Sequence, residues 1–176
     1  MTDFDFWKKK YQASWGQSSK REAEIAAKIS QETGKEIDSF GLGAGSAELL
    51  SGSAAQQGHK KGDPDFKVVG TNIFLEITGP LVDFIDERDP LWVRPDKIQN
   101  AKKNADHETW VVHHLSKNGL IRVLPLDEDF WRALADGDFP IVTPRIRGVK
   151  ESYHEIPAAH RCVKPYHKLV ERLSKT

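Results

Sequence analysis

The spacing of apolar and polar residues divides the chain into short, alternating elements. The run SSKREAEIAAKISQET is alanine-rich and lies between Gly16 and Gly34, which predicts a first helix over Ser18–Thr33 with Ser18 or Ser19 as its N-cap. Glu36–Phe40 alternates as a short strand does. After it, GLGAGSAELLSGSAAQQGHKKG reads as a long glycine- and serine-rich loop, either ligand-approaching or a plain insertion. Asp65–Val69 and Ile73–Thr78 are two β-rich runs joined by Gly70-Thr71-Asn72, a hairpin signal. Phe74, Glu76 and Thr78 then share one face, and Ile73, Leu75 and Ile77 point into the core.

Further along, Pro95 suits the first turn of a helix that should run to about His107, with Ile98, Ala101 and Ala105 on its inner face. Thr109–Leu115 reads as a buried strand, Asn118-Gly119 as a turn and Leu120–Leu124 as its hairpin partner. A short helix follows over about Asp127–Ala135, and Pro165 opens a last one with Tyr166, Leu169, Val170 and Leu173 as its apolar stripe. The order is αβββαβ, with a further strand and helices appended. It predicts a mixed α/β sheet flanked by helices, in one domain with a core over about 18–126 and a C-terminal extension over about 127–176.

At 176 residues, 38% hydrophobic and 30% charged, the composition is that of a globular chain. It contains no apolar stretch long enough to cross a bilayer. Met1–Lys10 has neither an apolar leader core nor the character of a transit peptide, and the expected location is cytoplasmic. Cys162 is the sole cysteine, so no internal disulfide can form. The net charge of zero argues against a protein that coats nucleic acid non-specifically. Its distribution is uneven: residues 1–35 hold 7 basic against 5 acidic residues, residues 36–140 hold 11 against 18, and residues 141–176 hold 8 against 3. An acidic middle and a basic tail suit a metal site beside a phosphate-binding surface, or merely solvated faces.

The chemistry concentrates in Gly62-Asp63-Pro64-Asp65-Phe66 and in Leu75-Glu76-Ile77-Thr78. The hairpin brings Asp65 and Glu76 together across a sheet, and an ionised Glu among apolar neighbours needs a counter-charge. Magnesium meets that need: it accepts a few carboxylate oxygens, keeps several waters and leaves positions for a phosphate. The plainer alternatives are an Asx turn at Asp63 and Asp65, and a salt bridge from Glu76 to Lys67 across the hairpin.

On these residues the sequence resembles the PD-(D/E)XK nuclease superfamily, whose signature is Pro-Asp, a β-turn spacer, then Asp or Glu, any residue, and Lys. Pro64-Asp65 and Glu76-Ile77-Thr78 match it except at the last position, where Thr78 replaces Lys. The resemblance covers roughly residues 18–115. It implies a restriction-endonuclease-like αβββαβ core with a layout similar to Holliday-junction resolvases and small phage-type endonucleases. It also implies a hydrolase: a metal-binding, magnesium- or manganese-dependent endonuclease acting on DNA. Asp65, Glu76 and the Ile77 carbonyl are then the metal ligands. Glu22 is the first-helix acid, with Glu24 as competitor. Because Thr78 cannot act as a cation, the resemblance implies either a lysine moved to the next helix, Lys97 or Lys103, or a degenerate fold that binds nucleic acid or protein without cutting. Cutting both strands usually takes two sites, which leaves a homodimer open.

Phosphate contacts are expected from Ser51, Ser53, Lys60, Lys61, Lys103, Arg145 and Arg147, with Ser46 and Lys150 beside them. Other candidates carry less. His113 and His114 point to opposite faces of a strand and cannot share an ion. His154, Glu155, His160, Cys162 and His167 match no structural zinc spacing. Gly41–Gly45 lacks the ending of a phosphate-binding loop. Trp7, Trp15, Trp92, Trp110 and Trp131 are scattered, with Trp110 and Trp131 expected in the core.

Overall fold

The computed structural model describes residues 17–41, 63–146 and 148–176. Helix α1 spans Gln17–Thr33 and takes both expected caps, Ser18 and Ser19, into its first turn. It is followed by β1 (Ile37–Ser39), β2 (Phe66–Val68) and β3 (Ile73–Thr78). Then come β4 (Leu91–Val93), α2 (Pro95–Lys103), β5 (Glu108–His114), β6 (Ile121–Pro125) and α3 (Glu128–Ala135). The chain closes with β7 (Ile141–Val142), β8 (Arg145–Ile146), β9 (Val149–Lys150), β10 (Tyr153–Ile156), β11 (Lys164–Pro165) and α4 (His167–Ser174).

The main sheet is six-stranded and mixed, in the order β1-β2-β3-β5-β6-β11. β1, β2 and β3 are joined antiparallel, and β3 and β5 run parallel, Glu76 beside Val111 and Thr78 beside His113. A parallel pair needs a crossover, and α2 lies within it. This places α2 over the face that carries Glu76.

Both faces of the sheet are covered, so β3 is buried at every position from Ile73 to Ile77. One face packs Ile73, Leu75, Ile77, Val112 and Val123 against Ala23, Ala26, Ala27 and Ile29 of α1 and Leu169 and Leu173 of α4. The other packs Val111 and Leu124 against Ile98 and Ala101 of α2, Phe130 and Ala133 of α3, and Leu91, Val93 and Ile156 of a second sheet ordered β4-β10-β7. The second layer buries the face that carries Glu76 as well as the face of Ile73, Leu75 and Ile77.

Several boundaries differ from those expected. α2 stops at Lys103 rather than His107, because Asn104 leaves helical geometry (φ −107°, ψ 64°) while its side chain caps the Asn100 carbonyl at 2.8 Å. Ala105 therefore lies outside the helix and is exposed. Pro165 does not open α4: it pairs with Arg122 at the edge of the sheet, where a missing N–H costs no ladder bond, and the helix begins at His167. The strand predicted from Thr109 begins at Glu108 and ends at His114. Among the described residues no helix is long and apolar enough to cross a membrane. The glycine- and serine-rich loop lies outside the described residues, apart from Gly41.

Candidate functional site

The site forms where β2, β3, α1 and α2 meet. Phe66 pairs with Leu75, so Asp65 falls opposite Glu76 at the open end of the hairpin. The backbone there is tightly fitted. Phe40 N–H donates to the Asp65 carbonyl at 2.8 Å, and a Cβ on Gly41 would come within 2.5 Å of the Pro64 carbonyl oxygen, which excludes any larger residue.

Asp65 and Glu76 are almost fully buried, at 4% and 7% exposure, and Glu22 is equally so at 5%. The Asp65 side chain is not an Asx turn: Oδ2 accepts from the Ile77 N–H, 2.9 Å away on the neighbouring strand. Nor does Glu76 pair with Lys67, which sits opposite Phe74 with its ammonium 5.7 Å from that ring. The partner of Glu76 is Lys97. Its Nζ lies 3.0 Å from Glu76 Oε2 and 3.9 Å from Asp65 Oδ1, and it donates to the Asp63 carbonyl at 2.7 Å.

The local sequence explains how Lys97 arrives there. Pro95 starts α2, whose first turn then lies beside Asp63-Pro64-Asp65, and Asn100, on the next turn, donates to Asp63 Oδ1 at 3.1 Å. Helix and loop are thus tied at two points on one face. Lys103, the other lysine considered, is exposed at the far end of α2, about 9 Å further along the axis at the usual helical rise. Of the two, only Lys97 reaches the acids.

Burial raises the pKa of Asp65; Lys97, the Ile77 N–H and Arg21 offset it only in part. Glu76 is pushed well above the usual carboxylate range by burial and by the charge of Asp65, against which Lys97 works. Burial alone would lower Lys97, but Glu76 and Asp65 outweigh it and hold the ammonium charged. One ammonium shared by two buried carboxylates leaves an excess of negative charge, which favours binding a proton or a second cation.

Arg21 contributes a further positive charge. The sequence does not single it out, because its neighbour in the helix, Glu22, already holds the candidate role. Arg21 Nη1 donates to the Gly79 carbonyl at 2.6 Å, where the chain leaves β3, and the guanidinium acts electrostatically on Glu22 and Asp65. Among the described residues no three His, Cys, Asp or Glu side chains gather closely enough to hold one ion as they stand. The centre is a carboxylate pair with Glu22 nearby, not a finished cage. Two carboxylates completed by main-chain oxygen and water form a donor set that magnesium accepts, so these residues fit such an ion.

The remaining candidates fall elsewhere. Ser46, Ser51, Ser53, Lys60, Lys61 and Arg147 lie outside the described residues. Arg145 is exposed and spends one guanidinium N–H on the Gly148 carbonyl at 3.1 Å. His113 is buried beside Arg122, and His114 is half-buried on the other face. The tail residues do not converge: His154 meets the Phe139 carbonyl, Glu155 the Trp92 indole, and His160 both Asp138 and the Cys162 N–H. Trp110 is in the core as expected, whereas Trp131 is half-buried. A cleft of about 730 Å³ lies near the start of β5 and is not lined by Glu22, Asp65, Glu76 or Lys97. Its polar lining mixes both signs, with Lys102, Lys164 and Lys168 facing Asp106, Asp127 and Glu171. The buried acids are the stronger electrostatic anomaly, and such anomalies concentrate at functional sites.

Compared with known proteins, the chain matches no family model, no curated protein and no solved structure.

Proposed function

We propose that this chain is a divalent-metal-dependent phosphodiesterase acting on DNA, with a restriction-endonuclease-like core of the PD-(D/E)XK kind in which Lys97 replaces the missing motif lysine. The observation that carries the reading is the position of the Lys97 ammonium, 3.0 Å from Glu76 and 3.9 Å from Asp65. A buried acidic pair needs a counter-charge, and here it comes from the next helix, to which the resemblance implies a displaced lysine.

On this reading Asp65 and Glu76 hold magnesium with the Ile77 carbonyl, and Glu22 supports them. When bound, the ion supplies Lewis acidity toward a phosphoryl oxygen and lowers the pKa of a water. The protein's own groups do the rest. The Ile77 N–H fixes the Asp65 carboxylate through Oδ2. Lys97 holds a proton at Nζ, available to a phosphate oxygen where negative charge develops. The Asn100–Asp63 hydrogen bond keeps the first turn of α2, and with it Lys97, against the acids. Exposed cations such as Lys103 and Arg145 are the candidates for phosphate contacts that position a duplex without reading its sequence. A cytoplasmic location and a homodimer that presents two sites to two strands belong to the same reading.

The test is incubation of the purified chain with supercoiled, linear and four-way-junction DNA in magnesium or manganese, beside Asp65→Ala. Metal-dependent cleavage that Asp65→Ala loses is expected. DNA binding without cleavage in either metal would instead make the chain a binding module built on the same fold.

A further inference from the structure

We propose that two copies of this chain associate through a reciprocal contact, in which the acidic and apolar loop after β3 of each copy meets the basic tip of the β8–β9 hairpin of the other. The contact gives surfaces to the homodimer of the reading above. It needs neither the metal nor the DNA of that reading, so the two can fail separately.

The loop, residues 81–89, presents Leu81, Val82 and Phe84 at 42%, 40% and 80% exposure. It is firmly held. The Ser116 hydroxyl donates to the Pro80 carbonyl at 2.7 Å, and Arg122 Nη1 donates to the carbonyls of Glu87 and Asp89 at 3.2 and 2.7 Å. The Asp86 N–H donates to Asp89 Oδ2 at 2.8 Å. A fixed loop that holds a phenyl ring out in water marks an interaction surface. Its charge is negative, with Asp83, Asp86, Glu87 and Asp89 against Arg88. Arg88 and Lys117 both face Asp86, Glu87 meets the Asn118 amide, and Asp83 has no ion pair among the described residues.

The second surface lies at the other end of the second sheet. β10 is antiparallel to both β4 and β7, so the chain enters β4 from the loop at the Ile156 end of β10 and leaves β7 at the Tyr153 end. Beyond Val142 the chain continues as an arm. The Glu151 N–H donates to the Pro144 carbonyl at 3.1 Å, and Arg145 and Ile146 pair with Lys150 and Val149 in a sheet of these two strands alone. Val149 near the tip is 58% exposed, and Ile141 at the base is 57% exposed. Lys150 has no ion pair among the described residues, Arg145 gives one N–H to the Gly148 carbonyl, and the adjacent Glu151 accepts from the Tyr153 hydroxyl.

Five of the seven large apolar side chains exposed among the described residues thus fall on two segments of opposite charge. Each segment brings the apolar surface and the charge that the other requires. Because they leave the sheet at opposite ends, two copies set antiparallel about a two-fold axis bring loop to arm twice, which closes the assembly as a dimer.

The test is sedimentation velocity of the full chain over a range of concentrations, without DNA or divalent metal. Wild type is expected to reach twice the 19.9 kDa of one chain, and Phe84→Ser to raise the dissociation constant at least about tenfold. Asp83→Lys and Lys150→Glu are each expected to be largely monomeric. Their equimolar mixture should recover the dimer, because every contact in the mixed pair is again between opposite charges. All three side chains are exposed, so the variants keep the fold. A wild type that is monomeric at every concentration, a dimer indifferent to Phe84→Ser, or no recovery on mixing overturns the proposal. So does a Lys150→Glu chain that dimerises normally and loses duplex DNA binding, which would assign the arm to phosphate instead. None of these results bears on metal-dependent cleavage.

Discussion

Lys97 and Glu76 come from different elements, a helix and the strand it crosses, yet their charged atoms lie 3.0 Å apart beneath the surface. That pairing holds the fold and the site together. Removing the lysine leaves two buried carboxylates sharing no ammonium, so Lys97→Ala should cost about 3 kcal/mol of unfolding free energy in the absence of metal. Urea denaturation measures it. Adding Glu76→Gln should recover part of the loss, because the strongest unpaired charge is then gone; a double variant no more stable than the single one would contradict the pairing.

Asp65 is a charged group and a hydrogen-bond acceptor at once, and the two roles separate in Asp65→Asn. The amide oxygen still accepts from the Ile77 N–H, so the melting temperature should stay close to wild type. The negative charge is lost, and metal-dependent cleavage should fall by at least about a hundredfold. Parallel loss of both stability and cleavage would point to a structural role alone.

Gly79 ends β3 with φ at +140°, and a Cβ there would lie 2.0 Å from the His114 carbonyl oxygen. Both the backbone conformation and the space exclude a side chain. Gly79→Ala should destabilise the protein by more than about 3 kcal/mol, readable as a large drop in melting temperature. A mild effect would mean that this strand end can shift, and with it the carbonyl that anchors Arg21.

His113 sets a pH dependence. Burial, then the neighbouring Arg122, depresses its pKa from the ordinary 6.5 to about 3. The folded protein therefore binds fewer protons than the unfolded chain between those values. The stability that this residue contributes is complete above about pH 6.5 and is lost as the pH falls toward 3, by up to about 1.4 kcal/mol per pH unit. Denaturation midpoints of wild type and His113→Gln across that range should diverge with this sign. Parallel curves would show that His113 is charged inside the fold.

The parts of this arrangement that are legible in the sequence depend on local chemistry. Gly70-Thr71-Asn72 fixes the hairpin, Pro95 fixes the start of α2, and together they set Asp65 against Glu76 and bring Lys97 near. What the sequence hides depends on distant pairing. β4 is three residues long and finds its partner in Tyr153–Ile156, which no local pattern joins to it. That second sheet, with α2 and α3 beside it, covers the face that carries Glu76. Pro165 carries a helix-start signal that sheet-edge pairing with Arg122 overrides. Arg21 is hidden because its meaning comes from the Gly79 carbonyl, a contact between residues far apart in the chain.

On this account Lys97 performs the task which Thr78 cannot, and the most direct measurement moves the charge between them. Plasmid nicking in magnesium would be followed for wild type, Lys97→Ala, and Lys97→Ala combined with Thr78→Lys, which returns the lysine to the strand on the Glu76 face. The expected result is cleavage by wild type, loss in Lys97→Ala and partial recovery in the double variant. Undiminished cleavage by Lys97→Ala, or none by wild type, would contradict the account.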